Sequence, residues 1–209
     1  FDAPWKTDVA FQACYKIAAQ FSLNDIQRLY TLWYVANQQA DLEGDCIEIG
    51  TWKGGSSLIL SKSIGDTTQK YFFDTFSGVP EIVGNDDENY VGGEHDGASR
   101  REVEDLLNGN QIENFSVIQG VFNDSYVKDL SITKIKLCHI DVDTYESTSI
   151  IFNIIGPLLS LNSVVVIDDY NIHKATGIKK FIGEIDLANF HVINNFVGQA
   201  LIIKKQQDT

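Results

Sequence analysis

The sequence predicts an α/β fold with one open, mostly parallel sheet flanked by helices. Short apolar runs typical of buried strands alternate with helical stretches, and two of these runs end in acidic residues. Asp141 and Asp143 follow one run, and Asp168 and Asp169 follow another, Val164–Ile167. Because ligands bind at the carboxyl ends of strands in open α/β sheets, we expect these carboxylates to lie together at that edge.

Carboxylates packed this closely repel one another unless a cation or shared protons compensate their charge. Ligand sets made only of oxygen atoms suit a hard ion such as Mg²⁺. The sequence therefore predicts a metal site at the mouth of the sheet. His139, just before the first acidic pair, is expected to pack within the sheet.

The other elements follow from hydrophobic periodicity, taken in chain order. Two helices are predicted within Thr7–Ala40, so residues 1–40 are expected to form an N-terminal helical extension, a lid or dimerisation segment, before a main domain over 41–209. Seven strands are predicted, with an antiparallel last strand: Asp45–Ile49, Lys70–Phe73, Phe115–Gln119, Ile135–Val142, Ser163–Ile167, His191–Asn194 and Val197–Lys204. Helices are predicted at Ser56–Ser63, Ser99–Leu107, Tyr145–Leu159 and Gly177–Leu187, and a long polar connection at Ser77–Gly97.

Composition excludes several classes of partner. The formal net charge of -13 argues against binding to nucleic acid or to an anionic membrane, since both need clustered Lys and Arg. No segment approaches the roughly 20 apolar residues of a membrane span. The three cysteines are an odd count at irregular spacing, which indicates free thiols and a cytoplasmic protein. The chain begins at Phe1 and has no methionine, so we expect a trimmed protein or a domain of a larger one.

The first predicted strand runs into a glycine-rich turn. The turn reads Glu48-Ile49-Gly50-Thr51-Trp52-Lys53-Gly54-Gly55-Ser56-Ser57, which lacks the G-x-G-x-x-G pattern of dinucleotide binders. Asp74 ends the second strand 24 positions after Gly50 (74 − 50), a place that suits a carboxylate binding ribose hydroxyls. The acidic residue Glu48 before the turn and the absence of the G-x-G-x-x-G pattern favour a ligand that carries an amine and no pyrophosphate. S-adenosylmethionine (SAM) fits that description.

Several segments together resemble one family, the macrocin-type O-methyltransferases, which include the mycinamicin and novobiocin sugar O-methyltransferases. The matching segments are Glu48–Gly55, Phe73–Gly78 with Pro80, Asp141–Thr148, Ile167–Tyr170 and, before the sheet, Gln27–Tyr30 with Leu32-Trp33. The resemblance implies a Rossmann-like class I SAM-dependent methyltransferase fold, SAM and Mg²⁺ as cofactors, and a homodimer or larger homo-oligomer.

The resemblance also implies roles for single residues. The metal ligands would be Asp141, Asp168 and Asp169, and the general base would be Asp143. The cofactor site would be formed by Glu48, Gly50, Thr51, Trp52, Gly55, Ser56, Asp74, Gly120, Val121, Phe122 and Asp141. His173, which follows the second acidic segment, is an alternative base.

The implied reaction is Mg²⁺-dependent methylation of a hydroxyl on a sugar or related natural product, in which Asp143 takes the hydroxyl proton. A catechol or polyketide acceptor is an alternative with the same metal site. An NAD-dependent oxidoreductase is disfavoured by the absent G-x-G-x-x-G pattern. A non-catalytic scaffold is disfavoured because all four carboxylates are present.

Overall fold

A seven-stranded sheet forms the centre of the molecule. The structure is a computed structural model that describes residues 3–80, 90, 92–173 and 175–206. The strands lie in the order β3-β2-β1-β4-β5-β7-β6. Their bounds are β1 (Asp45–Ile49), β2 (Lys70–Asp74), β3 (Phe115–Gln119), β4 (Ile135–Ile140), β5 (Leu159–Ile167), β6 (Phe190–Asn194) and β7 (Ala200–Lys204).

The strand pairing confirms the predicted fold class. Strands β1 to β5 pair in parallel, while β7 pairs antiparallel with both β5 and β6. From β1 the chain winds outward through β2 to β3, and then returns to place β4 on the other side of β1. The winding direction therefore reverses between β1 and β4, and such a reversal opens a crevice for ligands at the carboxyl ends of the strands.

Helices cover both faces of the sheet. The helices are α1 (Pro4–Thr7), α2 (Val9–Ala18), α3 (Ile26–Gln39), α4 (Gly55–Ile64), α5 (Arg100–Gly109), α6 (Asp124–Asp129), α7 (Tyr145–Ile155) and α8 (Thr176–Gly183). One hydrophobic core holds side chains of α2, α3, α4 and α5 against the sheet, and the other holds side chains of α7 and α8. Both faces of the parallel strands are therefore apolar, which explains their continuous hydrophobic runs.

The N-terminal helices belong to the first of these cores. Asp8 and Asp25 cap α2 and α3, and each carboxylate accepts a hydrogen bond from the backbone three residues on. Phe11, Leu29 and Leu32 are fully buried. Residues 3–40 thus contribute core packing, and the separate lid or dimerisation role expected for 1–40 stays a prediction.

Some predicted boundaries are wrong. The helix starting at Tyr145 ends at Ile155, not Leu159, because a 3-10 turn at Gly156–Leu158 leads directly into β5. Strand β5 therefore begins four residues before the predicted Ser163. Helix α6 was not predicted, since six residues are too few to show helical periodicity. Residues 81–89 and 91 of the polar connection predicted at Ser77–Gly97 lie outside the described residues.

Two expectations drawn from composition can be compared with the structure. Among the described residues, no helix has both the length and the apolar character needed to cross a membrane. The three cysteines are free and buried, as the odd count indicated.

We predict that Phe11→Ala lowers the free energy of unfolding by about 3–5 kcal/mol, because it empties a fully buried aromatic site. Phe11 packs edge-on against Tyr30 and Trp33, with ring centroids 4.9 and 5.9 Å away. The measurement is urea unfolding. Val9→Ala, in the same helix at a side chain that is 82% exposed, is the control and should stay within about 0.5 kcal/mol of wild type. Equal stability of the Phe11→Ala protein would show that α2 is not part of the folded core.

Candidate active site

A cavity of about 710 Å³ opens at the carboxyl edge of the sheet. Along that edge the strand order places Gly120 after β3, Asp74 at the end of β2, Gly50 after β1, and Asp141 after β4. Its walls include most of the residues singled out from the sequence: Gly50, Thr51, Trp52, Ser56, Asp74, Gly120, Val121, Phe122, Asp141, Asp143 and Asp169. The topology alone thus brings the predicted cofactor residues and the acidic residues into one space.

Gly50 lies at the point where the winding of the sheet reverses. Its φ is 91°, and a Cβ built there would lie 1.8 Å from the carbonyl oxygen of Asp141. The amide of Asp141 in turn donates to the carbonyl of Ile49 at 2.9 Å. Only glycine permits both this conformation and this close approach, so the glycine of the turn sets how closely the loops after β1 and β4 pack.

The Asp74 carboxylate organises the neighbouring turn. One oxygen accepts from the backbone amide of Trp52 and the other from that of Phe76, both at 2.7 Å. A carboxylate offers about four lone-pair positions, so each oxygen keeps the capacity to accept another donor. Asp74 can therefore hold the turn and bind a ligand hydroxyl at the same time.

Two of the acidic residues adopt left-handed backbone conformations. The φ angles are 64° at Asp143 and 60° at Asp169. Non-glycine residues rarely occupy this region, and Asp tolerates it better than most. The two loops therefore hold these carboxylates in a costly geometry at the cavity wall, a feature that clusters at functional sites.

Beneath the cavity, buried polar side chains connect the first strand with the fifth. Ser57 donates to Glu48, and the ring nitrogens of His139 lie 2.8 Å from Glu48 Oε1 and 3.3 Å from Asp168 Oδ2. All three members of the Glu48–His139–Asp168 group have fully buried side chains. Because both neighbours of the imidazole are carboxylates, a protonated ring that donates from both nitrogens satisfies this arrangement best.

The charges of this group stabilise one another. Burial alone would lower the pKa of His139, but the hydrogen bonds to Asp168 and Glu48 raise it to about 10. Burial would likewise raise the pKa of Asp168, but His139 and then Arg28 lower it to about 2. The hydrogen bonds therefore favour the ionised forms of both Asp168 and His139 at neutral pH.

Arg28 approaches the acidic residues from helix α3. Its Nη1 donates to Asp168 Oδ1 at 2.9 Å and to Asp169 Oδ1 at 3.2 Å. Asp168 also accepts from the amide of Asp169 at 3.0 Å and from Gln199 Nε2 at 3.2 Å. With His139, four donors surround the Asp168 carboxylate, which matches its number of lone-pair positions.

The carboxylates nearer the cavity are less well compensated. Burial raises the pKa of Asp169 to about 8, and the negative charges of Asp168 and Asp143 add to the shift. Burial and the charges of Asp168 and Asp169 raise the pKa of Asp141 well above its usual value. This part of the site therefore favours protons or a cation.

A phenol from the polar connection also reaches this cluster. The hydroxyl of Tyr90 donates to Asp143 Oδ1 at 2.8 Å. Both residues line the cavity. A hydroxyl group can thus lie within hydrogen-bond distance of the Asp143 carboxylate inside the cavity.

Four predicted site residues lie outside the cavity wall. Glu48 and Asp168 are buried beneath it, in the Glu48–His139–Asp168 group. Gly55 packs under the N-terminal segment, where its amide donates to the Phe21 carbonyl at 2.9 Å. His173 is exposed and does not line the cavity, whereas Asp143 does.

Sequence reasoning missed several residues of the site. His139, expected only to pack, has ligand atoms within 4.8 Å of those of Asp141 and Asp168. Arg28 was predicted only as part of a family-like segment, and Asn24, which donates to Asp141 Oδ2 at 3.3 Å, was not predicted. For His139 a signal existed, since it and Glu48 are polar residues inside two apolar strands and buried polar groups need partners.

Comparison with known proteins decides the family. Residues 18–189 match the family described as Macrocin-O-methyltransferase (TylF). The chain belongs to this family.

Two curated relatives are similar in sequence to this macrocin-family protein. Identity is 30% over 161 residues to the 8-demethyl-8-(2,3-dimethoxy-alpha-L-rhamnosyl)-tetracenomycin-C 4'-O-methyltransferase of Streptomyces olivaceus, covering 70% of this chain and 61% of that protein. Identity is 25% over 146 residues to the demethyldecarbamoylnovobiocin O-methyltransferase of Streptomyces niveus, covering 62% and 54%. The matches thus span little more than half the length of these relatives.

Solved structures share the fold of this family member. The O-methyltransferase NovP superposes with a TM-score of 0.76 at 19% identity, covering 89% of this chain and 83% of that one. The calicheamicin methyltransferase CalS11 superposes with a TM-score of 0.71 at 18% identity, covering 97% and 94%. These similarities confirm the class I methyltransferase architecture.

We predict that His139→Gln makes the protein less stable at pH 6, by about 3 kcal/mol or more, because it leaves two buried carboxylates poorly paired. The folded pKa of about 10 exceeds the unfolded value of about 6.5. Protonated His139 therefore stabilises the folded state fully at pH values below its pKa in the unfolded state. This contribution is lost as the pH rises through its pKa in the folded state. The stability difference between the two proteins should shrink on alkaline titration, measured by urea unfolding in EDTA.

The control for this experiment is His191→Gln, at an exposed position of β6. Asp169 also titrates in the alkaline range and interacts with the charge of Asp168, so the same comparison is repeated in an Asp169→Asn background, where that titration is absent. A His139→Gln difference that is constant from neutral to alkaline pH would contradict a protonated imidazole between Glu48 and Asp168.

Proposed function

We propose that this chain is a SAM-dependent O-methyltransferase that methylates a hydroxyl of a sugar or related natural-product acceptor with the help of Mg²⁺. One observation carries the proposal: a single cavity joins the glycine turn and Asp74 to the carboxylates of Asp141, Asp143 and Asp169. A methyl donor bound at the first group would lie beside an acceptor at the second. Family membership and the names of the relatives support this reading.

The cofactor half of the cavity suits an adenosyl ligand without phosphates. Asp74 retains acceptor capacity for ribose hydroxyls. The exposed side chain of Val121 and the backbone of Gly120 are placed to contact a base. Helix α4 begins at Gly55, and Ser56 in its first turn lines the cavity. Gly50 lets the ligand approach the backbone closely.

The acidic half suits a hard divalent cation. Asp141 and Asp169 have raised pKa values because burial and like charges disfavour their ionised forms. A cation among them would remove that penalty, and oxygen ligands are those that Mg²⁺ prefers. The chain's candidate ligands are Asp141, Asp168 and Asp169. His139 lies close to them, but its donated N–H groups make it a positioning residue for Asp168.

Asp143 is the proposed general base. Its carboxylate faces the cavity, and the contact with the Tyr90 hydroxyl shows that an O–H group can reach it at 2.8 Å. When bound, SAM would supply the methyl group and the divalent cation would lower the pKa of the acceptor hydroxyl. Asp143 would accept the proton of the acceptor hydroxyl, while the cavity walls orient both partners and exclude water.

We predict that SAM binds the wild-type protein and that Asp74→Ala weakens this binding by about tenfold or more, since a charge-assisted hydrogen bond to ribose is lost. Isothermal calorimetry measures both affinities. Asp129→Ala, which removes an exposed carboxylate of α6, controls for the change in net charge and should bind SAM as wild type does. Failure of the folded wild-type protein to bind SAM would overturn the proposed function.

We predict that Asp143→Asn lowers kcat for methyl transfer by about 10²–10⁴-fold, the usual contribution of a general base. SAM affinity should stay unchanged, because the substitution is isosteric and lies in the acidic half. The assay uses SAM, Mg²⁺ and a panel of rhamnosides and catechols, so it also separates a sugar from a catechol acceptor. Asp105→Asn, on the exposed side of α5, is the control. An unchanged kcat would exclude Asp143 as the base.

A further inference from the structure

We propose that the guanidinium group of Arg28 and a divalent cation compete for the carboxylates of Asp168 and Asp169, so that cation binding requires Arg28 to leave them. The inference rests on the proposed function, because the cation is the one assigned there to Asp141, Asp168 and Asp169. The inference assigns to Arg28 of helix α3 control over whether the proposed metal site is occupied.

The carboxylate of Asp168 is already saturated with donors. Its Oδ1 accepts from Arg28 Nη1 and the Asp169 amide, and its Oδ2 accepts from His139 and Gln199. A carboxylate has about four lone-pair positions, so a cation can bind Asp168 only if one donor withdraws. Arg28 Nη1 also donates to Asp169 Oδ1, an oxygen of a second proposed metal ligand.

Among these four donors, Arg28 is the one that can withdraw. His139 and Gln199 are fully buried, and the amide of Asp169 is part of the backbone. Arg28 lines the cavity, and its side chain retains 14% exposure. Its positive charge would also be repelled by an arriving cation. Displacing Arg28 therefore moves the least buried of the three donor side chains and removes a like charge.

Arg28 has a further carboxylate partner outside the metal site. Its Nε lies 3.6 Å from Asp25 Oδ2, and the Asp25 side chain is 53% exposed. Asp25 is the N-cap of α3, one turn before Arg28. A guanidinium group that leaves Asp168 and Asp169 can thus keep a carboxylate partner while it turns toward solvent. In the second position Arg28 would lose its contacts with Asp168 and Asp169 and keep the one with Asp25.

The test compares binding of Mn²⁺ to the wild-type protein and to Arg28→Gln by calorimetry, without SAM or acceptor. Removal of the competing ion pair should tighten Mn²⁺ binding by about tenfold or more. Arg100→Gln removes an equal charge from an exposed pair with Glu104 and should leave the affinity unchanged. Asp25→Asn keeps a capping side chain but withdraws the alternative partner, so it should weaken Mn²⁺ binding.

A second measurement uses the unmodified protein. The Nε–Hε signal of Arg28 in ¹⁵N NMR spectra is assigned by its loss in Arg28→Gln. This signal should shift when Mg²⁺ is titrated into the protein. The midpoint of the shift should agree with the Mg²⁺ affinity measured by calorimetry. Mg²⁺ binding that leaves this signal in place would overturn the inference, as would an equal or weaker Mn²⁺ affinity of Arg28→Gln.

Failure of both proteins to bind either cation would also overturn the inference. SAM binding and methyl transfer in EDTA would then show whether the proposed methyltransferase function survives without the metal. If the protein does not bind SAM but the Arg28 signal still shifts on Mg²⁺ binding, only the proposed function is overturned.

Discussion

The protonated imidazole of His139, held between Glu48 and Asp168, is the interaction on which the site depends. It joins β1, β4 and β5 below the cavity, where the three side chains have no solvent-accessible surface. Two carboxylates buried there would be very costly without a cation between them. Because His139 supplies that cation, Asp168 stays ionised and correctly oriented, and the loops after β4 and β5 can present further acidic residues to the cavity above.

The same group connects the two halves of the cavity. Glu48 accepts from Ser57 in α4, next to Ser56 in the cavity wall. The acid before the glycine turn was expected to contact the cofactor, but its carboxylate faces His139 and α4. Its role in the structure is to fix the start of the helix relative to the acidic loops. Any change at Glu48 would therefore disturb the cofactor half and the acidic half together.

The sequence predicted the fold and the acidic half of the site for clear physical reasons. Apolar runs mark the buried strands, and the residues after each run gather at the C-terminal edge of a parallel sheet, so Asp141, Asp143, Asp168 and Asp169 could be placed without coordinates. The role of His139 was missed because its partner depends on register: it pairs with Glu48 across β1 and β4, 91 positions away. Arg28 is 140 positions from Asp168, and helical periodicity says only that α3 packs, not which residues its polar face contacts.

The charge balance of the site explains why these missed residues matter. In the described part of the chain, Glu48 is paired with His139, and Asp168 is paired with both His139 and Arg28. The charge of His139 partly compensates Asp141 and that of Arg28 partly compensates Asp169, but the pKa values of both carboxyl groups are still raised by burial and by neighbouring carboxylates. A site with excess negative charge at its cavity wall favours cationic ligands. The sulfonium of SAM and a divalent metal ion, the ligands of the proposed function, are both of this kind.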